Sequence, residues 1–149
     1  MLAYSNASDC FSITMQTNLA VILRYDHVGI RVTDRDISRA FYQKLGFVET
    51  EYLPNEQANE METASGVRIN LIMNGAKRPN NANILIDEPI KYAGITHPAF
   101  IVDDIENLQA WLQANKIAIT EGPRQIVPRR ITLFILDPDG NVLEFNQLL

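Results

Sequence analysis

The chain repeats itself, and this limits its fold more than any other feature. Placing His27 against His97 and reading forward without gaps aligns HVGIRVTDRDISRAFYQKLGF with HPAFIVDDIENLQAWLQANKI. Identities fall at His27/His97, Val32/Val102, Asp34/Asp104, Ala40/Ala110 and Gln43/Gln113, and Phe41 coincides with Trp111. A second match follows in the same order: Gly66-Val-Arg-Ile-Asn70 parallels Gly140-Asn-Val-Leu-Glu144. Each is a turn glycine followed four positions later by a polar residue inside an apolar run. Two matches in one order indicate a tandem repeat, whose halves should share one supersecondary plan.

Local patterns supply that plan. Tyr25–Val32 alternates and is rich in Val and Ile, so it reads as a strand. Asp34 can cap a helix running to about Leu45, with Ile37, Phe41 and Leu45 as its apolar stripe and Gly46 as a left-handed stop. Phe47–Leu53, Glu60–Ala64 and Val67–Asn74 read as three strands. In the second half, Ile95–Val102 is a strand, and Asp103 with Glu106 resembles a capping box. Ile105, Leu108 and Leu112 form the next stripe, and Ile117–Thr120, Arg130–Leu136 and Asn141–Gln147 are the following strands. The expected fold class is α+β, with two βαβββ modules at residues 25–76 and 94–148 joined by a linker at about 76–93. Residues 1–18 lack periodicity and are expected to be a loose extension, with residues 19–149 forming one domain of two modules.

Alternation sorts side chains onto faces. In the first strand Val28, Ile30 and Val32 point to the core, and His27, Gly29 and Arg31 point away. In the fourth, Ile69, Leu71 and Met73 oppose Arg68, Asn70, Ile72 and Asn74. In the last, Leu143 and Phe145 oppose Val142, Glu144 and Asn146. The chain's two histidines therefore hold equivalent positions, as do Asn70 and Glu144. A lone strand histidine is ordinarily structural. Two related by a repeat, with a carboxylate, suit a divalent transition metal if the halves pack about a pseudo-twofold axis.

Composition narrows the function classes. At 149 residues the chain is long enough for a core without staples. Its longest apolar stretch, Leu19–Leu23, is far too short to span a membrane. The first basic residue is Arg24, so no charged segment precedes an apolar core as in a secretory signal. Cys10 is the one cysteine, so no intrachain disulfide can form, and a reducing cytoplasmic setting is expected. With net charge −5 and no basic run, neither nucleic acid nor membrane is an expected partner.

Three segments, DHVGIRVTDRDISRAFYQKLGF, GITHPAFIVDDIENLQAWL and LFILDPDGNVLEF, resemble the vicinal oxygen chelate superfamily. That superfamily includes glyoxalase I, methylmalonyl-CoA epimerase, fosfomycin-modifying thiol transferases, extradiol dioxygenases and bleomycin-resistance proteins. The resemblance runs from about Tyr25 to Gln147. It implies paired βαβββ modules forming a curved mixed sheet around a cleft that holds one divalent metal: Zn, Ni, Co, Mn or Fe. The implied metal positions are His27, Asn70, His97 and Glu144. Asn70 departs from the Glu or Gln that glyoxalase I and the epimerases place there, and a water is expected in its place as ligand. The remaining two-histidine, one-carboxylate set looks like the thiol transferases and dioxygenases.

Arg31 is similar to the arginine that bacterial glyoxalase I uses for a glutathione carboxylate, and Asn74 resembles its glutathione-contacting asparagine. Alternatively Arg31 is a surface residue or an inter-strand ion pair. Arg129 and Arg130 could add an anion contact or form a solvated turn. The resemblance implies a small-molecule substrate, a homodimer, and a metal-dependent glyoxalase-like lyase or isomerase in which Glu144 is both ligand and base, with Glu60 and Glu62 on a neighbouring strand. Thiol transfer, ring-cleaving dioxygenation and metal-free binding of the bleomycin-resistance kind are the rival readings.

Overall fold

In a computed structural model, which describes residues 20–83 and 85–149, each half folds as strand, helix and three strands. The elements are β1 (Val28–Arg31), α1 (Arg35–Lys44), β2 (Phe47–Leu53), β3 (Ala58–Thr63), β4 (Arg68–Ile72), β5 (Ala99–Ile101), α2 (Ile105–Ala114), β6 (Ile119–Val127), β7 (Arg130–Leu136) and β8 (Val142–Leu148). They form two four-stranded mixed sheets in the same order, β1-β4-β3-β2 and β5-β8-β7-β6. In each sheet the first and last strands of the module pair in parallel and the remaining pairs are antiparallel. The expected extension at residues 1–18 lies outside the described residues.

The repeat register holds down to single caps. Asp34 accepts from the Ile37 amide, and Asp104 accepts from the amides of Glu106 and Asn107. These side-chain oxygens satisfy amides that the first helical turn leaves without partners. The α2 cap is thus Asp104, the partner of Asp34, rather than the Asp103 of the expected capping box. Gly66 and Gly140 both sit at φ +83°, where a side chain would strain the turn leading into each module's last strand.

Burial follows the strand alternation. Ile30, Val32, Ile69, Leu71, Leu143 and Phe145 are in the core, joined by Leu112 and Ile105 from α2. The α1 stripe differs from expectation. Ile37 is 56% exposed, while Ser38 and Tyr42 are fully buried with Phe41 and Leu45 packed beside them. The helix is rotated toward polar partners in the other module. The β5 strand is also shorter than its apolar pattern suggested, because Pro98 has no amide to extend the ladder. In contrast, β6 runs to Val127, well past Thr120.

The two modules are joined by the turn between β7 and β8. Tyr42 donates its hydroxyl to Asp137 at 2.9 Å, and Thr33 donates its amide and hydroxyl to Asp139 at 2.9 and 2.6 Å. Asn141 donates to the Arg31 carbonyl at 3.0 Å, and the Phe47 and Phe100 rings meet edge to face. Burial pushes the Asp137 carboxyl up, against the amides of Asp139 and Asn141 and the Tyr42 hydroxyl that support its charge.

Candidate functional site

Each sheet has one face covered by its helix and one open face. On the first open face, β1 and β4 set Gly29 beside Asn70, and β3 sets Glu60 beside Asn70 on the other side. His27 lies just before β1, its side chain 37% exposed. Its Nδ1 is 2.7 Å from Asp26 Oδ2, and Asp26 Oδ1 accepts from Arg68 at 2.7 Å. The His27 hydrogen bond, with Arg68 and Arg24 nearby, holds the Asp26 carboxyl below its usual range. A carboxylate only accepts, so Nδ1 carries the proton and Nε2 carries the lone pair of a neutral His27 ring. Arg68 also donates to Glu60 at 2.9 Å and lies 3.9 Å from Glu62. Both glutamates are therefore engaged by a guanidinium. Asn70 is buried, and its Oδ1 has no hydrogen-bond partner. Buried acceptors are rarely left in this state, and a ligand is one ordinary explanation.

The second open face carries the repeat partners. His97 Nε2 is 2.7 Å from Glu144 Oε2, with side chains 28% and 12% exposed. Phe134, beside Glu144 in the β7–β8 register, sets its ring edge-on to His97 at 5.6 Å. Asn146 donates to the other Glu144 oxygen at 2.9 Å, and Thr132 donates to Asn146 Oδ1 at 2.6 Å. Thr132 and Asn146 are both buried on this otherwise open face. Beside them in the sheet, β6 pairs with β7 through a bulge at Gly122, where φ is +85° and a Cβ would lie 2.5 Å from the Thr132 carbonyl.

Of the four expected metal positions, only His97 and Glu144 are in contact; His27 contacts Asp26, and the Asn70 oxygen has no partner among the described residues. Among the described residues of one chain, no three His, Cys, Asp or Glu side chains come together as a metal-binding group. The residues fit a divalent ion in their chemistry: Asn70 presents an orphaned oxygen, and His97 Nε2 and Glu144 Oε2 lie 2.7 Å apart, where an ion would displace the proton between them.

Arg31 and Asn74 fall elsewhere. Arg31 ends β1 and borders a cleft of about 620 Å³ with Gly75, Lys77 and the 137–141 turn. Asn74 is exposed, beyond the end of β4. Arg129 donates to the Leu149 carbonyl at 3.3 Å. Sequence reasoning passed over Thr132, and it put Asn146 on the right face without giving it a role. Asp26 and Arg68 were likewise visible only as neighbours of candidate residues.

A family model described as the Glyoxalase/Bleomycin resistance protein/Dioxygenase superfamily matches residues 24–145. The chain belongs to this superfamily. No curated protein matches it. Among solved structures, a glyoxalase/dioxygenase from Nostoc punctiforme is similar at 22% identity, covering 88% of this chain and 99% of that one, with a TM-score of 0.66. An antibiotic binding protein from Streptomyces is similar at 21% identity, covering 88% and 100%, with a TM-score of 0.65. A virulence protein from Salmonella typhimurium is similar at 23% identity, covering 87% and 100%, with a TM-score of 0.63. At these identities the likeness is one of fold. Superfamily members bind small molecules, usually with a divalent metal. No helix among the described residues is long and apolar enough to cross a membrane.

Proposed function

We propose that this protein is a metal-dependent, glyoxalase-like lyase or isomerase acting in the cytoplasm on a small oxygen-chelating substrate. A thiol adduct of a 2-oxoaldehyde is the first candidate. The observation that carries this reading is the His97–Glu144 pair at 2.7 Å, set on an open face whose repeat partner presents His27 and the unpartnered oxygen of Asn70. His27, His97 and Glu144 would hold the ion, with Asn70 as a fourth, neutral donor. A bound divalent ion supplies electrophilic stabilisation of an oxyanion on two vicinal substrate oxygens.

Because no three His, Cys, Asp or Glu side chains form a metal-binding group among the described residues of one chain, a homodimer in which a second copy completes the set is favoured. The unpaired edges of β1, β2, β5 and β6 favour the same arrangement. Glu144 is assigned as ligand and base together for a carbon-bound proton, with Oε1 bound by Asn146 and Oε2 beside His97. Arg31, at the rim of the inter-module cleft, is assigned to the anionic end of the substrate, and Asn74 to its polar middle.

The test is metal analysis of protein purified without chelator, then reconstitution with single metals and assay of a glutathione hemithioacetal. Stoichiometric metal, its loss in His97→Ala, and turnover that collapses in Glu144→Gln are expected. Metal-replete protein without turnover would end the glyoxalase reading.

One observation favours a second reading, a metal-free small-molecule binder. Arg68 sits among Asp26, Glu60 and Glu62 and gives the first face a cation of its own. A wild-type protein that takes up no metal yet binds a drug-like ligand would establish it.

A further inference from the structure

The order of donors on the second face runs in one direction. Glu144 as a carboxylate can only accept, so the Asn146 side chain must turn its NH₂ toward Glu144 Oε1, 2.9 Å away. Asn146 Oδ1 then faces Thr132, whose hydroxyl donates across 2.6 Å. This arrangement holds Oε1 against Asn146 and turns Oε2 to meet His97. Thr132 and Asn146 are 0% and 2% exposed, so no water competes for either link.

The sheet itself does not require this pair. By the repeat, Asn146 corresponds to Ile72 and Thr132 to Ala58, which are paired in register in the first module as Thr132 and Asn146 are in the second. The same architecture is thus satisfied by two apolar residues. Burying two polar side chains where apolar ones fit is costly unless they hold something in place.

We infer that Asn146, aligned by Thr132, is a positioning residue that pins the Glu144 carboxylate so that one oxygen only is offered to His97 and to a cation between them. The role toward a cation rests on the metal-dependent reading above. The role toward His97 does not. Without the Thr132 hydroxyl, the Asn146 amide is free to turn Oδ1 toward Glu144, and the carboxylate swings away from His97.

Two measurements on the full chain separate these claims. In metal-free protein with ¹⁵N-labelled histidine, wild type and Thr132→Ser should show a protonated, hydrogen-bonded His97 Nε2. That signature should change in Thr132→Val and in Asn146→Leu, with thermal melts confirming folding. An unchanged His97 signature in both variants would overturn the inference. By zinc titration calorimetry, Thr132→Val should bind roughly tenfold to a hundredfold more weakly than wild type, with Thr132→Ser restoring affinity. Equal affinity would overturn the role toward the ion. A wild type that binds no zinc would sink the metal reading alone, while the His97 signal still judges the positioning role.

Discussion

The two open faces occupy the same register of the same repeat and solve the same problem differently. The first is held by charge. Arg68 gathers Asp26, Glu60 and Glu62, and His27 hangs from Asp26 near solvent, where Asp26 is 53% exposed. The second is held by a buried chain of neutral donors that ends on one carboxylate. Ion pairs in partial contact with water contribute little and are screened by salt. Hydrogen bonds in a buried network contribute more, and their loss is penalised by the groups left unpaired. The first face is therefore adjustable and the second rigid. A site that joins them would have one firm side and one yielding side.

This contrast can be broken by matched substitutions. The largest effect should come from Asn146→Ala set against Asn70→Ala. Removing Asn146 strands the Thr132 hydroxyl and one Glu144 oxygen, and should cost about 3 kcal/mol in denaturant unfolding. Removing Asn70, whose Oδ1 has no partner, should cost less than about 1 kcal/mol. Similar costs for both would show that the two faces are not built differently.

A middle-sized effect belongs to the joint between the modules. Tyr42→Phe removes a buried donor to Asp137 and should cost about 1.5–3 kcal/mol. Burial, with Asp137 beside it, raises the Tyr42 hydroxyl well above its ordinary range. The folded chain then keeps a proton that the unfolded chain loses near pH 10. Tyr42 therefore supplies stability that is intact below about pH 10 and is lost as pH rises beyond it. Denaturation curves across that range should fall steeply for wild type and less steeply for Tyr42→Phe.

The smallest effect sharpens the comparison from the other side. Arg68→Met should change stability by no more than about 1 kcal/mol, and the difference should shrink toward zero in molar salt. A large, salt-insensitive cost would mean that the first face is as rigid as the second.

The joint also shows why the modules are not interchangeable. The 137–141 turn reaches into the first module through Asp137, Asp139 and Asn141. The sequence marked this turn as the DPDG of a resembled family. The partners of its two aspartates lie far off in the chain, with Tyr42 and Asp137 separated by 95 positions. The rotation of α1 that exposes Ile37 follows from these partners, which no helical periodicity could reveal.

What the sequence determined by itself was whatever depends on local geometry or on the repeat. The strand faces, both aspartate caps within one residue, the turn glycines and the equivalence of His27 with His97 and of Asn70 with Glu144 are all matters of spacing along one chain. Tertiary structure decided which polar side chains on those faces would be buried, and against what. Thr132 and Asn146 are unremarkable in their own strands. They become a donor chain because β7 and β8 meet in a register that sets Thr132 beside Asn146. Arg68 likewise serves Asp26 and Glu60 because three chain segments converge beside it. Burial and hydrogen-bond partnership are properties of convergence in space, and a linear pattern records them only where the converging segments are near neighbours in the chain or related by the repeat.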